Sequence, residues 1–317
     1  MLVWSPKLKD SINCAYFMNL IVTGGAGFVG SHLVKYLVKK GHDVTVIDNL
    51  HKGKKENLED VFNKIEFLEI DIRDYDALRD CLKNTDGVFH EAALIAVPES
   101  FLTPQEYYDV NVHGTENILK LAKEIDFKLV YASSSSVYGD TTKIPIKEHF
   151  ERKPINPYGQ TKLEAEFLAE KYSKSGVKVI GLRYFNIFGI GQTGSYAGVI
   201  TKFIKNLDEK KPLIINGNGT HVRDFIYIED VVKANLVAME SKVGSGFFNI
   251  GTGIATSIKE LAQIMIELSD SSVDLIFSEP LKGDIKKSLA DTGLTEKMLG
   301  WKFTVDLRSG LQKIMLK

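Results

Sequence analysis

The chain has 317 residues, 44% of them hydrophobic, enough to bury two domains or one large α/β domain with an appendage. Its 40 Lys and Arg against 41 Asp and Glu leave a net charge of -1 with the signs interspersed, which argues against a nucleic-acid or anionic-membrane surface. No run approaches the ~18 apolar residues of a membrane span, and two cysteines, Cys14 and Cys81, form neither a metal-ligand spacing nor a disulfide framework, which fits a reducing cytoplasm and no bound metal.

Residues 1–17 lack the apolar core and cleavage site of a secretory leader and read as an N-terminal extension, because Met18 opens "MNLIVTGGAG" like a natural start. From there apolar runs alternate with helical periodicity. "NLIVTG" predicts a buried strand and "FVGSHLVKYLVKKG" a helix. "DVTVID" and "IEFLEID" are the next strands, followed by a short helix near 74–82 and the strand "GVFHEA". One long helix is expected from about 104 to 125, then the strand "KLVYAS", a helix starting in "NPYGQTKLEAE", and the strand "KVIGLR". Such alternation predicts a doubly wound parallel sheet, a Rossmann-type α/β fold, over residues 18–183. Beyond Arg183 the pattern becomes irregular. Residues 184–317 read as a smaller mixed α/β lobe for substrate, with segments near 223–252 returning to the first domain.

The segment "TGGAGFVG" joins the first strand to the first helix, with Gly24, Gly27 and Gly30 in a G-x-x-G-x-x-G pattern and Phe28 and Val29 opening the helix. Glycines allow a pyrophosphate to approach the backbone, and a helix N-terminus offers N–H donors and the positive end of a dipole. Asp48 closes the second strand, 18 residues after Gly30. A carboxylate there accepts from both adenosine ribose hydroxyls and repels a 2′-phosphate, favouring NAD over NADP. Asp71 ends the third strand and could meet the adenine.

Tyr158 and Lys162 lie four residues apart in a helix and so share a face. A free phenol, with a pKa of about 10, is a poor base at neutral pH. A nearby ammonium favours phenolate, and a shift of ~3 units needs about 4 kcal/mol. "YASSSSVYG" puts four hydroxyls, Ser133 to Ser136, after a buried strand, where parallel sheets bind ligands. One of them could hold a substrate oxygen beside the tyrosine.

From Met18 onward, the ordered set "TGGAGFVGSHL", "DN", "HEAA", "NVHGT", "SSSSVYGD", "NPYGQTK", "LRYFNIFG", "VRDFIYIED", "NIGTG" and "GDIKKSLAD" resembles the extended short-chain dehydrogenase/reductases that act on sugar nucleotides. Within them it is most similar to NAD-dependent UDP-hexose 4-epimerases, the UDP-glucose and UDP-N-acetylglucosamine group. The resemblance implies Tyr158 as base, Lys162 as its activator and ribose anchor, and Ser134 as the active serine. It implies cofactor contacts from Asn49, Asp71, Ile72, Ala92, Ala93, Asn111 and Tyr184. For the UDP-sugar it implies Asn186, Val199, Arg223 and Asp284, with Ile214, Ile215 and Asn216 at the uracil. The implied reaction removes the 4-hydroxyl proton and a hydride from C4, turns the flat 4-keto sugar over, and returns the same hydride to the other face. A homodimer is implied as well.

Four features modify that expectation. Sugar-nucleotide 4,6-dehydratases carry Asp and Glu within the serine run, where this chain has Ser135 and Ser136, which disfavours dehydration. Leu281 stands where the family has an arginine for the diphosphate, with Lys282 next to it as a cation lacking the bidentate fork. The loop Gly189–Ala197 is also short. Ser288 falls at a gatekeeper, where a small residue leaves room for an N-acetyl group. The alternatives are another NAD-dependent sugar-nucleotide enzyme, namely a decarboxylase, reductase or dehydratase, or a non-catalytic NAD-binding sensor.

Overall fold

The structure is a computed structural model that describes residues 17–192, 198–280 and 285–315. Most of the N-terminal extension, part of the Gly189–Ala197 loop, and Leu281, Lys282 and Asp284 lie outside the described residues. The strands are β1 (Asn19–Thr23), β2 (Asp43–Ile47), β3 (Glu66–Leu68), β4 (Gly87–His90), β5 (Lys128–Ser134), β6 (Val179–Tyr184), β7 (Asn186–Phe188), β8 (Leu213–Asn216), β9 (Val222–Arg223), β10 (Phe225–Tyr227), β11 (Ser245–Ile250), β12 (Thr256–Ser257) and β13 (Leu275–Ser278). The helices are α1 (Phe28–Lys40), α2 (Tyr75–Leu82), α3 (Val97–Leu102), α4 (Pro104–Tyr108), α5 (Thr115–Ile125), α6 (Pro157–Ser173), α7 (Val199–Asp208), α8 (Ile228–Glu240), α9 (Ile258–Leu268), α10 (Gly293–Leu299) and α11 (Leu307–Met315).

Seven strands make one sheet in the order β3-β2-β1-β4-β5-β6-β11, and every neighbouring pair is parallel. This is a Rossmann-type doubly wound sheet, and its order reverses between β1 and β4, where such sheets open a crevice at their carboxyl ends. Side chains alternate across β1: Leu20 and Val22 join the core on one face, Ile21 the core on the other. The first of these cores continues without a break into Phe203, Leu213, Ile215, Leu261 and Trp301 of the C-terminal half. Three two-stranded pairs, β7 with β10, β8 with β13 and β9 with β12, complete that half. No helix among the described residues is long and apolar enough to cross a membrane.

The long helix expected over 104–125 is present as continuous right-handed helical backbone. A π-helical turn at Asp109–Gly114 separates α4 from α5, and α3 precedes them. The π-helical turn places Asn111, 1% exposed, so that its amide bonds both backbone groups of Leu94 and the hydroxyl of Thr161 on α6. That contact is non-local, so no helical periodicity could announce it.

A buried ion cluster joins α6 to the sheet. Arg183 on β6 gives Nε and Nη2 to Glu166 of α6, both at 2.8 Å, and Nη1 to the hydroxyl of Tyr138 at 2.7 Å. Ser133 and Arg152 add bonds of 2.6 and 2.9 Å to the same carboxylate. Burial works against the Arg183 cation, yet the bonds and charge of Glu166 hold its pKa above the ordinary value. Removing one partner strands the other charge in the interior, which costs about 3–5 kcal/mol, whereas a neutral amide keeps part of the bonding. Glu166→Ala is therefore expected to lose about that much in denaturant unfolding and Glu166→Gln distinctly less; equal losses would refute the ionic account.

Candidate active site

β1 runs into the glycine loop, and α1 starts with Gly27 as its cap and no side chain on its first N–H groups. Those of Phe28 and Val29 remain available to an anion at the positive end of the helix. Gly24 has φ +69°, and a Cβ there would lie 2.6 Å from the backbone nitrogen of Ala92. A Cβ on Gly30 would strike the carbonyl oxygen of Gly24. The loop, the helix and the strand-end segment Glu91–Ala93 are thus pressed together with no room for side chains. This cradle fits a dinucleotide.

Asp48 follows β2 and is 7% exposed. Its oxygens accept from the backbone of Ala26 at 3.0 Å and of Leu50 at 2.8 Å. Burial pushes its pKa up and these two bonds pull it down. Each oxygen keeps a lone pair for a ribose hydroxyl. Asp71 differs from expectation. Its Oδ1 accepts from the backbone and Nε of Arg73, and its Oδ2 from Arg73 Nη2 and Asn49 Nδ2, at 2.7–2.9 Å. Led by the Arg73 side chain, these bonds hold the carboxyl far below the usual range. With its acceptor positions filled, Asp71 organises the rim of the site together with Asn49 rather than offering an open acceptor. Ile72 packs inward against Gly114. Asn111 likewise has both amide donors committed to protein partners, so it positions the 94 segment and has no donor left for a cofactor.

His90 ends β4 and is 3% exposed. Thr115 donates to the carbonyl of Asn111 at 2.6 Å, so it accepts from His90 Nε2 at 3.0 Å, and Nδ1 accepts from Thr23 at 2.7 Å. The ring is therefore the neutral Nε2–H tautomer.

The reacting centre sits where β5 meets α6. Asn156 caps α6 by accepting from Gly159 N–H at 2.8 Å, Pro157 takes the first helical position, and Tyr158 follows. Four hydroxyls follow each other in sequence, and the fold separates them: Ser133 bonds Glu166 in the ion cluster, whereas Ser134 caps the next turn and hydrogen-bonds Tyr158. Lys162, 6% exposed, gives Nζ to the carbonyl of Ala132 at 2.8 Å. Burial pushes the Tyr158 pKa up, and the opposing pull comes from Ser134 rather than from Lys162. The ammonium is directed to β5, and burial itself pushes it down to about 8, against the charges of Glu91 and Glu166. The one-turn spacing brings the pair to a common face, with the Lys162 ammonium held by the Ala132 carbonyl.

Tyr184 pairs in register with Ser134. Its hydroxyl donates to Glu91 Oε1 at 2.9 Å and accepts from Asn235 Nδ2 at 2.7 Å. Burial pushes Glu91 up to about 7, while Tyr184 and Lys162 pull it down. Sequence reasoning passed over Glu91 and Asn235. The signal for Glu91 was an acidic residue directly after the short strand "GVFH", at its carboxyl end.

The residues expected at the sugar nucleotide are more scattered. Asn186 on β7 is half-buried and gives its N–H to Asp224, and Val199 is half-buried at the start of α7. On β8, Ile214 is 53% exposed and Asn216 bonds Ser278, but Ile215 is fully buried on the opposite face. A two-residue period forces that division, so Ile215 cannot line an open pocket. Arg223 on β9 gives Nη1 to the carbonyl of Val222, which also accepts the N–H of Ser288 at 3.0 Å. Ser288 is buried beside that strand. Asp224, which sequence reasoning missed, accepts from the backbone of Thr252, Gly253 and Ala290 and from the Thr252 hydroxyl. It locks the Arg223 strand to the "NIGTG" turn.

The model of the NAD dependent epimerase/dehydratase family matches residues 20–251. The UDP-glucose 4-epimerase of Dictyostelium discoideum is 36% identical over 314 residues, covering 90% of this chain and 91% of that protein. The UDP-N-acetyl-alpha-D-glucosaminuronate decarboxylase of Bacillus cytotoxicus is 38% identical over 263 residues, covering 81% and 82%. Among solved structures, the UDP-glucose 4-epimerase of Thermotoga maritima with UDP-glucose superposes with a TM-score of 0.90 at 35% identity, covering 94% of this chain and 98% of that one.

Burial, and secondarily the charge of Lys162, push His90 down to about 3. An unfolded histidine titrates near ~6.5, so below that pH the unfolded chain takes up a proton that the folded chain refuses. Stability from this group is expected to fall by about 2 kcal/mol between pH 7 and pH 5. Denaturant unfolding at both pH values checks it: His90→Gln removes this part of the slope, and an unchanged slope contradicts the neutral, buried ring.

Proposed function

The chain belongs to the NAD-dependent epimerase/dehydratase family, and on that footing we propose that it inverts C4 of a UDP-hexose through a transient 4-keto sugar. It is an NAD-dependent enzyme of the UDP-sugar-modifying kind. The single observation that carries the finer reading is that the serine turn packed against the Tyr158 helix contains no carboxyl group.

The glycine loop with the first turn of α1 would hold the pyrophosphate, and Asp48 the adenosine ribose. When bound, NAD supplies the hydride acceptor and donor for C4. Tyr158 removes the 4-hydroxyl proton and later restores one to the same oxygen. Ser134 orients that oxygen by a hydrogen bond and shares the proton's path. Burial keeps Tyr158 protonated in the free site, so its acidity depends on the cation that the cofactor brings. Lys162, anchored on Ala132, stands where it can bond a ribose hydroxyl. Arg223, with Lys282, supplies positive charge for the diphosphate, and the small, buried Ser288 admits an N-acetyl group as well as a plain hydroxyl.

A decarboxylase is the reading to separate from this one, because a decarboxylase is among the similar relatives. Loss of carbon dioxide from a 4-keto uronic acid needs a second acid to protonate C5, and dehydration needs acids at C5 and C6. The turn Ser133 to Ser136 offers hydroxyls only, which favours a reaction confined to C4.

A homodimer is the assembly we propose, through α3, α4 and α6. Phe101, Leu102 and Phe167 are 52%, 82% and 45% exposed there, and such a patch on a monomer is costly. The free thiol Cys81 fits a cytoplasmic location.

Incubated with UDP-glucose, UDP-N-acetylglucosamine and UDP-glucuronic acid, the protein is expected to give C4 epimers by NMR with no net change in nicotinamide absorbance. Tyr158→Phe should lower turnover at least ~100-fold while NAD stays bound. Carbon dioxide from UDP-glucuronic acid without C4 inversion would replace this reading with the decarboxylase. Light scattering should give a dimer mass, which Leu102→Lys with Phe101→Lys reduces to a monomer; a wild-type monomer would end the dimer proposal.

A further inference from the structure

Glu91 is a half-buried acid, its carboxyl desolvated, that the reaction at C4 does not use. Its backbone N–H bonds the carbonyl of Thr23 at 3.1 Å, and a Cβ on Gly24 would come within 2.9 Å of its carbonyl carbon. On its other side the carboxylate accepts from Tyr184 and feels the charge of Lys162. Glu91 therefore lies between the glycine loop, which takes the pyrophosphate, and the Ser134–Tyr158 pair, which must meet the reacting end of the cofactor. A dinucleotide that spans these two places would bring its nicotinamide end toward this carboxylate.

We propose that Glu91 is a positioning residue that sets the redox preference of the site, its carboxylate stabilising the cationic oxidised nicotinamide over the neutral reduced one. Oxidised NAD carries a positive ring charge that is lost on reduction, so a fixed anion beside the ring favours the oxidised form. Without it, Glu166 alone would offset the Lys162 ammonium, whose remaining field would favour the reduced form. An enzyme that must return its hydride in every cycle gains from holding the cofactor oxidised at rest. Burial sharpens the effect, since little water screens the pair. Tyr184 keeps the carboxylate in place, with Asn235 behind it on α8.

The inference rests on NAD binding in the proposed orientation, not on the identity of the sugar. Its test is the ratio of the dissociation constants of oxidised and reduced NAD, measured by calorimetry on protein freed of cofactor and restored. Glu91→Gln keeps an acceptor for Tyr184 and removes the charge. It is expected to raise that ratio about tenfold, equivalent to about 30 mV for a two-electron couple. Glu91→Asp retains the charge and should stay nearer to the wild-type ratio than Glu91→Gln. Should the glutamine variant fail to fold, Glu91→Met removes the charge at similar length and must show the same shift. An unchanged ratio in a folded, uncharged variant overturns the proposal. A wild-type chain that binds neither form would instead overturn the dinucleotide site itself.

Discussion

The backbone of Gly24 lies against the backbone of Ala92 more closely than any side chain would permit, and the rest of the site is arranged around that contact. It brings the first helix, the end of β4 and the glycine loop into one compact wall. His90 reinforces the wall from below, bridging Thr23 on β1 to Thr115 at the start of α5 as a neutral ring. Asp48 closes it from the side through Ala26. The crevice is therefore formed by backbone and by buried polar bridges, which have little freedom to adjust, and it stands ready before any ligand arrives.

Two desolvated carboxylates near β6 are used in opposite ways. Glu166 meets two guanidinium groups and a hydroxyl, and its acceptor capacity is saturated. Such a group fixes structure, because each lone pair has a fixed donor and neutralising either side would be costly. Glu91 has one hydroxyl donor and a lysine at longer range, and burial raises it to about 7. An acid so weakly compensated responds to the charge of whatever binds beside it. Lys162 lies within the field of both, which opposes the stronger effect of its burial.

The same reasoning alters the picture of the base. A Tyr-x-x-x-Lys spacing suggests an ammonium resting against a phenol. Here the ammonium is held by the Ala132 carbonyl, and Ser134 is the tyrosine's hydrogen-bond partner. Burial dominates and keeps the phenol protonated. In the proposed mechanism the missing positive charge arrives with the cofactor, so the base is switched on only in the complex that needs it.

Much of this was legible in the sequence because it is local. The strand-helix alternation, the glycine spacing and the one-turn Tyr158–Lys162 pair each follow from periods of two or 3.6 residues and from what glycine alone can do. Which hydroxyl of Ser133 to Ser136 faces Tyr158 was fixed only by packing, since Glu166 draws Ser133 away. The helix over 104–125 was legible, but its π-helical turn was not, because Asn111 there bonds Leu94 and Thr161, partners 17 and 50 residues distant. Asn49, 22 residues away, helps nearby Arg73 fill Asp71, and packing decided which face of β8 turned Ile215 to the core. The sequence by itself determined the elements and the chemistry within reach of one turn or one strand. The tertiary structure alone decided which polar atoms remained unpaired and how deeply each charge was buried, because partner choice and desolvation depend on groups brought together from opposite parts of the chain.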